Sequence, residues 1–332
     1  MQKQSVPIGE EPYGVAGGLV SVVITSWNSL APLEVCLESI GHSEAPPYEV
    51  IVVDNCSTDA TVETLRARHP DVRLKANDVN VGHTKAVNQG LAMARGRYIL
   101  VLDADTELDP RCIATLKTYM DAHPDVAMVA PRTFNTDGSV QETARNFPAA
   151  LTGLFGRQGT LTRLFPSNPI SSRYLAREFL DATEPFKVEQ IGGACMFFRR
   201  TALERVGPWD ERYFGYWVDT DWCRQFHQLG LEIRCVPEAR IMHHESNARG
   251  KAVSPRRTRM FHNGAYIYYT KWHTLGTWDP RSVAAGLALS ARAEAKIALS
   301  AFRQFLAPAA NKGDVDNAAS RRAASPAESR RA

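Results

Sequence analysis

Three short runs of aliphatic and β-branched residues recur along the first third of the chain: GLVSVVIT from Gly18, YEVIVVD from Tyr48 and GRYILVLDAD from Gly96. Runs of this length, apolar at consecutive positions, read as strands buried on both faces. Between them lie segments of helical character. Pro32 to Ser43 places Leu33, Cys36, Leu37 and Ile40 on one face. STDATVETLRARH offers Ser57 or Thr58 as an N-cap, with Asp59 and Glu63 in the first turns. A short strand, VRLKAN, comes next, and a helix is predicted from about Thr84 to Ala94. Strands alternating with helices predict an α/β fold with a mostly parallel sheet. In such sheets ligands bind outside the carboxyl ends of the strands. Asp54, Asp103 and Asp105 all fall at such ends.

The second half is less regular. DVAMVAPRTF from Asp125, KVEQIGGACMFFRR from Lys187 and LEIRCVPEARIMHH from Leu231 predict further strands, and TALERVG a short helix. Between Gly138 and Leu180 no periodicity emerges, although Phe155, Leu161, Leu164 and Phe165 are interleaved with arginines. A helix is expected from Val283 to Leu306. That helix and the irregular segment can pack on the rest of the chain or lie along a membrane surface. From Pro308 the chain is Ala, Ser, Arg and Asn, a composition that predicts disorder.

The formal net charge of the 332 residues is +3, which selects no partner, but its distribution is uneven. Arg240 to His273 contains Arg240, Arg249, Lys251, Arg256, Arg257, Arg259 and Lys271 against the single acid Glu245. Such a patch suits phosphates or an anionic surface, or is a solvated face. The six cysteines form no CxxC pair, and their apolar settings predict buried, reduced thiols. No run reaches the roughly 20 apolar residues of a membrane helix. The first eighteen residues hold no apolar signal-like core. The expected location is the cytoplasm, or the periphery of a membrane facing it.

Asp103 and Asp105, two apart at a strand end, can offer one carboxylate to a hard divalent cation and the other to a ribose or second ligand. Neither GxGxxG nor GxxxxGK[ST] occurs, so the dinucleotide and P-loop readings lose their main support. No known nucleic-acid reader motif accompanies the basic segment.

Taken in order, VSVVITSWN at Val20, VIVVDNCSTDAT at Val50, NVGHTKAVNQG at Asn80 and LVLDADT at Leu100 resemble the nucleotide-sugar half of the family 2 glycosyltransferases. QETARNFP, IGGACMFFRR, WDERYFGYWVDTDWCRQ and ARIMHHES extend the resemblance to about His273. It points most closely to the rhamnosyltransferase-like members that build bacterial surface polysaccharides. The resemblance implies a GT-A fold: a mixed, mostly parallel central sheet flanked by helices, here with a C-terminal helical extension. The expected organisation is a leader over 1–18 and a GT-A domain over 19–273. Within that domain, 19–130 would bind the nucleotide sugar and 131–273 would carry the acceptor and catalytic half. A helical extension over 274–307 and a disordered basic tail over 308–332 would follow.

Carried over position by position, the resemblance places Thr25, Trp27 and Asn28 in the nucleotide pocket and Asp54 on the base or ribose. Asn80, Gly82 and Asn88 would line the same pocket. Asp103 and Asp105 match the metal-binding D-x-D, with Asp105 as direct ligand of Mg²⁺ or Mn²⁺ and Asp103 on the donor side. His243 corresponds to a histidine that approaches the metal or diphosphate, with His244 as the alternative one residue along. In YFGYWVDTDWCRQ the resemblance makes Asp219 the catalytic base of an inverting transfer, with Asp221, Trp217 and Trp209 around the acceptor. The partners implied are a nucleoside-diphosphate sugar and a glycan, lipid-linked in the relatives, with an anionic membrane surface as a further candidate and no nucleic acid.

The pattern is broken twice. Val218 stands where the family usually has Glu, and His83 where an aromatic such as Phe is common. Two competing readings stay open at this level. A sugar-phosphate nucleotidyltransferase would share the sheet and the metal, but its Gly-rich basic loop is replaced here by TSWNSLAP. A non-catalytic nucleotide-sugar-binding scaffold would tolerate the missing Glu.

Overall fold

The computed structural model describes residues 16–44, 46–148, 164–165, 168–244 and 254–306. The leader up to Val15, the Phe/Leu/Arg stretch over 149–163 and the tail from Pro308 lie outside the described residues.

Strands β1 (Ala16–Ser26), β2 (Tyr48–Asp54), β3 (Arg73–Ala76) and β4 (Gly96–Asp103) form a parallel set in the order β3-β2-β1-β4. β6 (Val126–Phe134) and β11 (Glu232–His243) are parallel to each other. β10 (Cys195–Arg199) runs antiparallel between β4 and β6 and joins the two sets into one sheet. β5 (Thr106–Leu108) and β8 (Phe186–Lys187) pair antiparallel with β11, and β7 (Ala144–Arg145) with β9 (Gln190–Ile191) makes a separate ribbon. The sheet is mixed and mostly parallel, as expected.

The helices are α1 (Leu30–Gly41), α2 (Thr61–Arg68), α3 (His83–Met93), α4 (Cys112–Ala122), α5 (Pro169–Tyr174), α6 (Arg200–Val206), α7 (Val218–Gln228), α8 (Pro255–His273) and α9 (Pro280–Leu306). Alternate residues of β1 feed opposite cores. Val22 and Ile24 meet Leu33 and Ile40 of α1 and Ile113 and Leu116 of α4. Val23 meets Ala86, Val87 and Leu91 of α3, in a core shared with Trp222 and Phe226 of α7. Each fully buried aliphatic side chain contributes about 1.5–3 kcal/mol. The sheet is thus held from both sides, and its carboxyl edge can carry polar and strained groups. Five of the six cysteines are buried, and none is in a disulfide. Burial pushes the Cys36 and Cys235 thiols up to about 12, which keeps them protonated and inert.

Three local expectations are corrected. α2 begins at Thr61, because Ser57 and Thr58 are held in the preceding loop: the Ser57 N–H donates to Asp54 and the Thr58 N–H to Asn28. KVEQIGGACMFFRR is three short strands, broken around Gly192 and Gly193. The sequence reading assigned no element to residues 255–273, where the chain forms a helix, the first arm of a hairpin. α8, absent from the sequence reading, is capped by Ser254, whose hydroxyl accepts from the Arg257 N–H, with Pro255 in its first turn. α9 folds back on it. Tyr266 packs on Gly286, Arg259 pairs with Glu294 at 2.7 Å, and the Ser282 hydroxyl bonds that of Thr274 at 2.8 Å.

α8 also lies flush against the turn before α7. A Cβ added at Gly264 would sit 2.6 Å from the Tyr216 carbonyl oxygen and 3.0 Å from the Trp217 ring. Gly264→Ala is therefore expected to destabilise the fold by about 1–3 kcal/mol. Urea unfolding would measure it, and a midpoint equal to wild type would show that the contact is not tight.

Candidate active site

β1 ends at Ser26, and the residues around its end are tied to the loop after β2 and the start of α3. Thr25 Oγ1 and His83 Nδ1 share a hydrogen bond at 3.0 Å. Asn28 takes a left-handed backbone (φ 48°), which turns its side chain toward the loop after β2. There its Oδ1 accepts from the Thr58 N–H at 2.7 Å, while its own N–H donates to Ser57 Oγ at 2.8 Å. Trp27, between them, is about half exposed. Asp54 is buried at the end of β2. One carboxylate oxygen accepts from the Ser57 N–H, and the other has no hydrogen-bond partner among the described residues.

Asn80, Gly82 and His83 form the turn into α3. Asn80 Oδ1 accepts from Asn55 Nδ2 and from the Gly82 N–H. Gly82 has φ +90°, and a Cβ there would meet the Phe214 ring and carbonyl at 2.9 Å. Only glycine fits both demands. The His83 N–H donates to the same Phe214 carbonyl at 2.9 Å, which buttons this turn to the aromatic loop before α7.

Asp103, Asp105 and His243 converge from the ends of β4 and β11, their potential ligand atoms all within 4.8 Å of one another. His243 Nδ1 donates to Gln141 Oε1 at 2.9 Å, which leaves Nε2 facing Asp105 Oδ1 at 3.2 Å and Asp103 Oδ2 at 4.0 Å. In the neutral ring that nitrogen carries a lone pair. Lone pairs and carboxylate oxygens at this spacing repel unless a proton or a cation lies among them. Two carboxylates and one imidazole oriented from behind form a donor set that suits a divalent cation. His244 turns away and pairs with Glu107 at 3.0 Å. Of the two histidines, His243 is the one in the cluster. A third of the Asp103 side chain meets solvent, yet protein rings it closely. Burial raises its carboxyl above the ordinary range against the pull of His83 and His243, and the charges of Asp105 and Asp219 push the same way.

Asp219 stands in the first turn of α7. Its Oδ1 accepts from the Thr220 N–H at 2.8 Å and its Oδ2 from the Gly193 N–H at 3.2 Å. One residue on, the Ala194 carbonyl accepts from the Asp103 N–H at 3.0 Å. The break at Gly192–Gly193 thus ties the Asp219 carboxylate to the end of β4 at Asp103.

Three residues expected at the acceptor or in the nucleotide pocket are engaged within the protein. Asp221 is fully buried and accepts from Lys271 Nζ (2.8 Å), Trp272 Nε1 (2.6 Å), Gln225 Nε2 (2.9 Å) and the Tyr213 hydroxyl (3.2 Å). No face of it is left for an acceptor. Trp209 is buried too, its ring beside those of His83 and Trp222. Asn88 is bound to the Trp209 backbone, accepting from its N–H (2.9 Å) and donating to its carbonyl (2.8 Å), and so clamps that loop. Trp217, in a left-handed conformation (φ 75°), packs against Phe261 and Tyr268, while Phe214 and Tyr216 are the aromatics of this loop that reach solvent. Val218 is buried in the core. A Glu there would bury a charge, so the departure from the family pattern is absorbed by packing.

Sequence reasoning missed Gln141, Gly193 and Lys271. QETARNFP and IGGACMFFRR signalled the first two as parts of motifs, without a role. Nothing near Lys271 announced its partner fifty residues away.

The glycosyl transferase family 2 model matches residues 21–207. The N-acetylglucosaminyl-diphospho-decaprenol L-rhamnosyltransferase of Mycobacterium tuberculosis is 29% identical over 271 residues, covering 78% of this chain and 86% of the relative. The O-antigen biosynthesis protein RfbC of Myxococcus xanthus is 26% identical over 261 residues, 76% of this chain but 19% of its own length. Among solved structures, the mannosyltransferase PcManGT from Pyrobaculum calidifontis, in complex with GDP-Man and Mn²⁺, superposes with a TM-score of 0.53 at 19% identity, covering 95% of this chain and 84% of that one. GalNAc-T7 with UDP, GalNAc and Mn²⁺ gives 0.54 at 16% identity, covering 76% and 49%. These structures share the fold. The family model spans more than half of the chain, and the chain belongs to glycosyl transferase family 2, as a GT-A-fold, rhamnosyltransferase-like glycosyltransferase.

Proposed function

We propose that the protein transfers a sugar, with inversion, from a nucleoside diphosphate to a lipid-linked glycan in surface polysaccharide synthesis, with rhamnose as the leading donor sugar. The observation that carries this reading is the link from Asp219 through the Gly193–Ala194 backbone to Asp103, which belongs to the cluster with Asp105 and His243. Inversion needs one base on the acceptor side and charge stabilisation on the leaving-group side. Asp219 takes the proton from the attacking hydroxyl, and the N–H groups of Gly193 and Thr220 hold its carboxylate in place. Asp105 and His243, with Asp103 beside them, would hold Mg²⁺ or Mn²⁺, which supplies positive charge to the departing diphosphate. The unpartnered oxygen of Asp54 accepts an N–H from the base, and Trp27 offers an indole face to it. Asn28, Asn80 and Gly82 shape the pocket wall, and Thr25 with His83 lines its floor.

The mycobacterial relative, whose name specifies a decaprenol-linked acceptor and rhamnosyl transfer, supports the choice of sugar and lipid. None of the described helices is long and apolar enough to cross a membrane. A lipid-linked acceptor then calls for attachment at the periphery of the membrane, on its cytoplasmic face.

Thermal shift with nucleoside diphosphates, with and without Mn²⁺ or Mg²⁺, tests the donor site. One nucleotide is expected to stabilise the protein only with metal present. At a hundredfold excess over Kd the gain is about 2.7 kcal/mol. Asp105→Ala is expected to abolish it. A shift unchanged in that variant, or no shift with any nucleotide, would overturn the assignment.

A further inference from the structure

His243 can offer Nε2 to a cation only while that nitrogen carries no proton. A neutral ring beside two carboxylates would otherwise place its proton there and donate it to Asp105 Oδ1, 3.2 Å away. The turn after β6 opposes this. β6 and β11 end side by side, with Phe134 opposite Met242. Beyond Phe134 the chain turns through Asn135–Ser139, closed by the Asn135 N–H to the Ser139 carbonyl at 2.8 Å. It returns with Gln141 behind the His243 ring. Gln141 is buried, and its own N–H donates to the Thr133 carbonyl at 2.8 Å, which fixes the backbone that carries the amide.

A continuous line of hydrogen bonds runs from the ring to the exposed tip of the turn. His243 Nδ1 meets Gln141 Oε1 at 2.9 Å, Gln141 Nε2 meets Asn135 Oδ1 at 3.1 Å, and Asn135 Nδ2 meets Ser139 Oγ at 2.9 Å. The Ser139 hydroxyl ends the line on Asp137 Oδ1. Its direction follows from that far end, because an ionised carboxylate can only accept. Ser139 therefore donates to Asp137 and receives the NH₂ of Asn135. The Asn135 carbonyl then faces Gln141, which must turn its own NH₂ toward it and its carbonyl toward His243. The ring is left to donate from Nδ1, and Nε2 keeps its lone pair.

We propose that Gln141 is a positioning residue, and that the relay from Asp137 through Ser139, Asn135 and Gln141 holds His243 in the one tautomer that can ligate a divalent cation. Partners behind a metal-binding histidine set both its ring orientation and its protonated nitrogen. Here the partner is itself oriented, through two further side chains, by a carboxylate at the surface. The consequence for metal binding rests on the cation site of the proposed function, but the tautomer does not.

Two readouts test it on the full chain. Nitrogen NMR of histidine-labelled, metal-free protein, at a pH where the rings are neutral, separates the tautomers, with His243 assigned by its loss in His243→Asn. Mn²⁺ uptake, with and without a nucleoside diphosphate, is followed by the spin resonance of the free ion. Wild type is expected to carry the proton on Nδ1. Gln141→Met removes the acceptor, so the proton should move to Nε2, toward Asp105, and Mn²⁺ affinity should fall by about 10–100-fold. Gln141→Glu restores an acceptor and should keep both the tautomer and the affinity. Asn135→Ala leaves the backbone bonds of the turn in place but frees the Gln141 amide to rotate, so both tautomers should appear. Wild type with its proton on Nε2, or Gln141→Met and Asn135→Ala indistinguishable from wild type, would overturn the inference. Equal loss of affinity in Gln141→Met and Gln141→Glu would do the same, since it would reduce Gln141 to packing. Should the wild type take up no Mn²⁺ under either condition, the cation site of the proposed function fails, and the ring spectrum still judges the relay.

Discussion

Asp219→Asn leaves metal-dependent nucleotide binding close to wild type and slows sugar transfer by about 10²–10⁴-fold, the usual contribution of a positioned general base. The substitution keeps the shape of the side chain and an oxygen to accept from the Gly193 or Thr220 N–H, so the start of α7 is undisturbed. What is lost is the ability to accept a proton from the acceptor hydroxyl. Asp219 is not one of the three converging groups, Asp103, Asp105 and His243. Donor affinity and transfer rate therefore separate. Initial rates with a donor sugar, measured beside the nucleotide thermal shift, make the comparison. Turnover near the wild-type rate would remove Asp219 from the mechanism. Loss of both signals would mean that the variant disturbs the donor side through Gly193 and Ala194.

Asp221→Ala should act on stability. Removing one member of a buried, paired charge leaves its partner without compensation and destabilises by about 3–5 kcal/mol. Lys271, Trp272, Tyr213 and Gln225 would all lose an acceptor at once. A fall in melting temperature of roughly ten degrees is the expected size. If Asp221 contacted an acceptor instead, the variant would lose transfer at an unchanged melting temperature, and that result would reject the anchor role. Asp210 shares Lys271 at 3.1 Å, and Arg212 first, then Lys271, holds its carboxyl well below the usual range. A depressed folded-state value means that this support is complete above about pH 4, the ordinary Asp value, and is lost as pH falls further. Acid unfolding should therefore begin with loosening between α8 and the loop that precedes α7.

The first half of the fold was legible because its strands are buried on both faces and read as continuous apolar runs. β1, β2 and β4 lie where those runs predict. α8 was not, since its aromatic and basic residues show no clean apolar period, although Ser254–Pro255 carried a capping signal. Among site residues, Asp103, Asp105 and His243 could be brought together only through resemblance, because β4 and β11 are distant in sequence and meet the same edge only in the folded sheet. Trp209, Asp221 and Asn88 mislead for one reason. A polar or aromatic residue inside a functional motif can serve the motif by holding its backbone, and spacing does not distinguish that from contact with a ligand.

The coupling between α7 and the hairpin also governs how this enzyme can be recombined with its relatives. Asp221 sits on one side of that joint and Lys271, Trp272 and the bare Gly264 on the other. A chimera that grafts a foreign hairpin onto this catalytic helix would inherit an unmatched carboxylate and a clash at Tyr216. A viable exchange must cut upstream of Trp209 and carry everything from there to Leu306, so that α7 and the hairpin are inherited as one block.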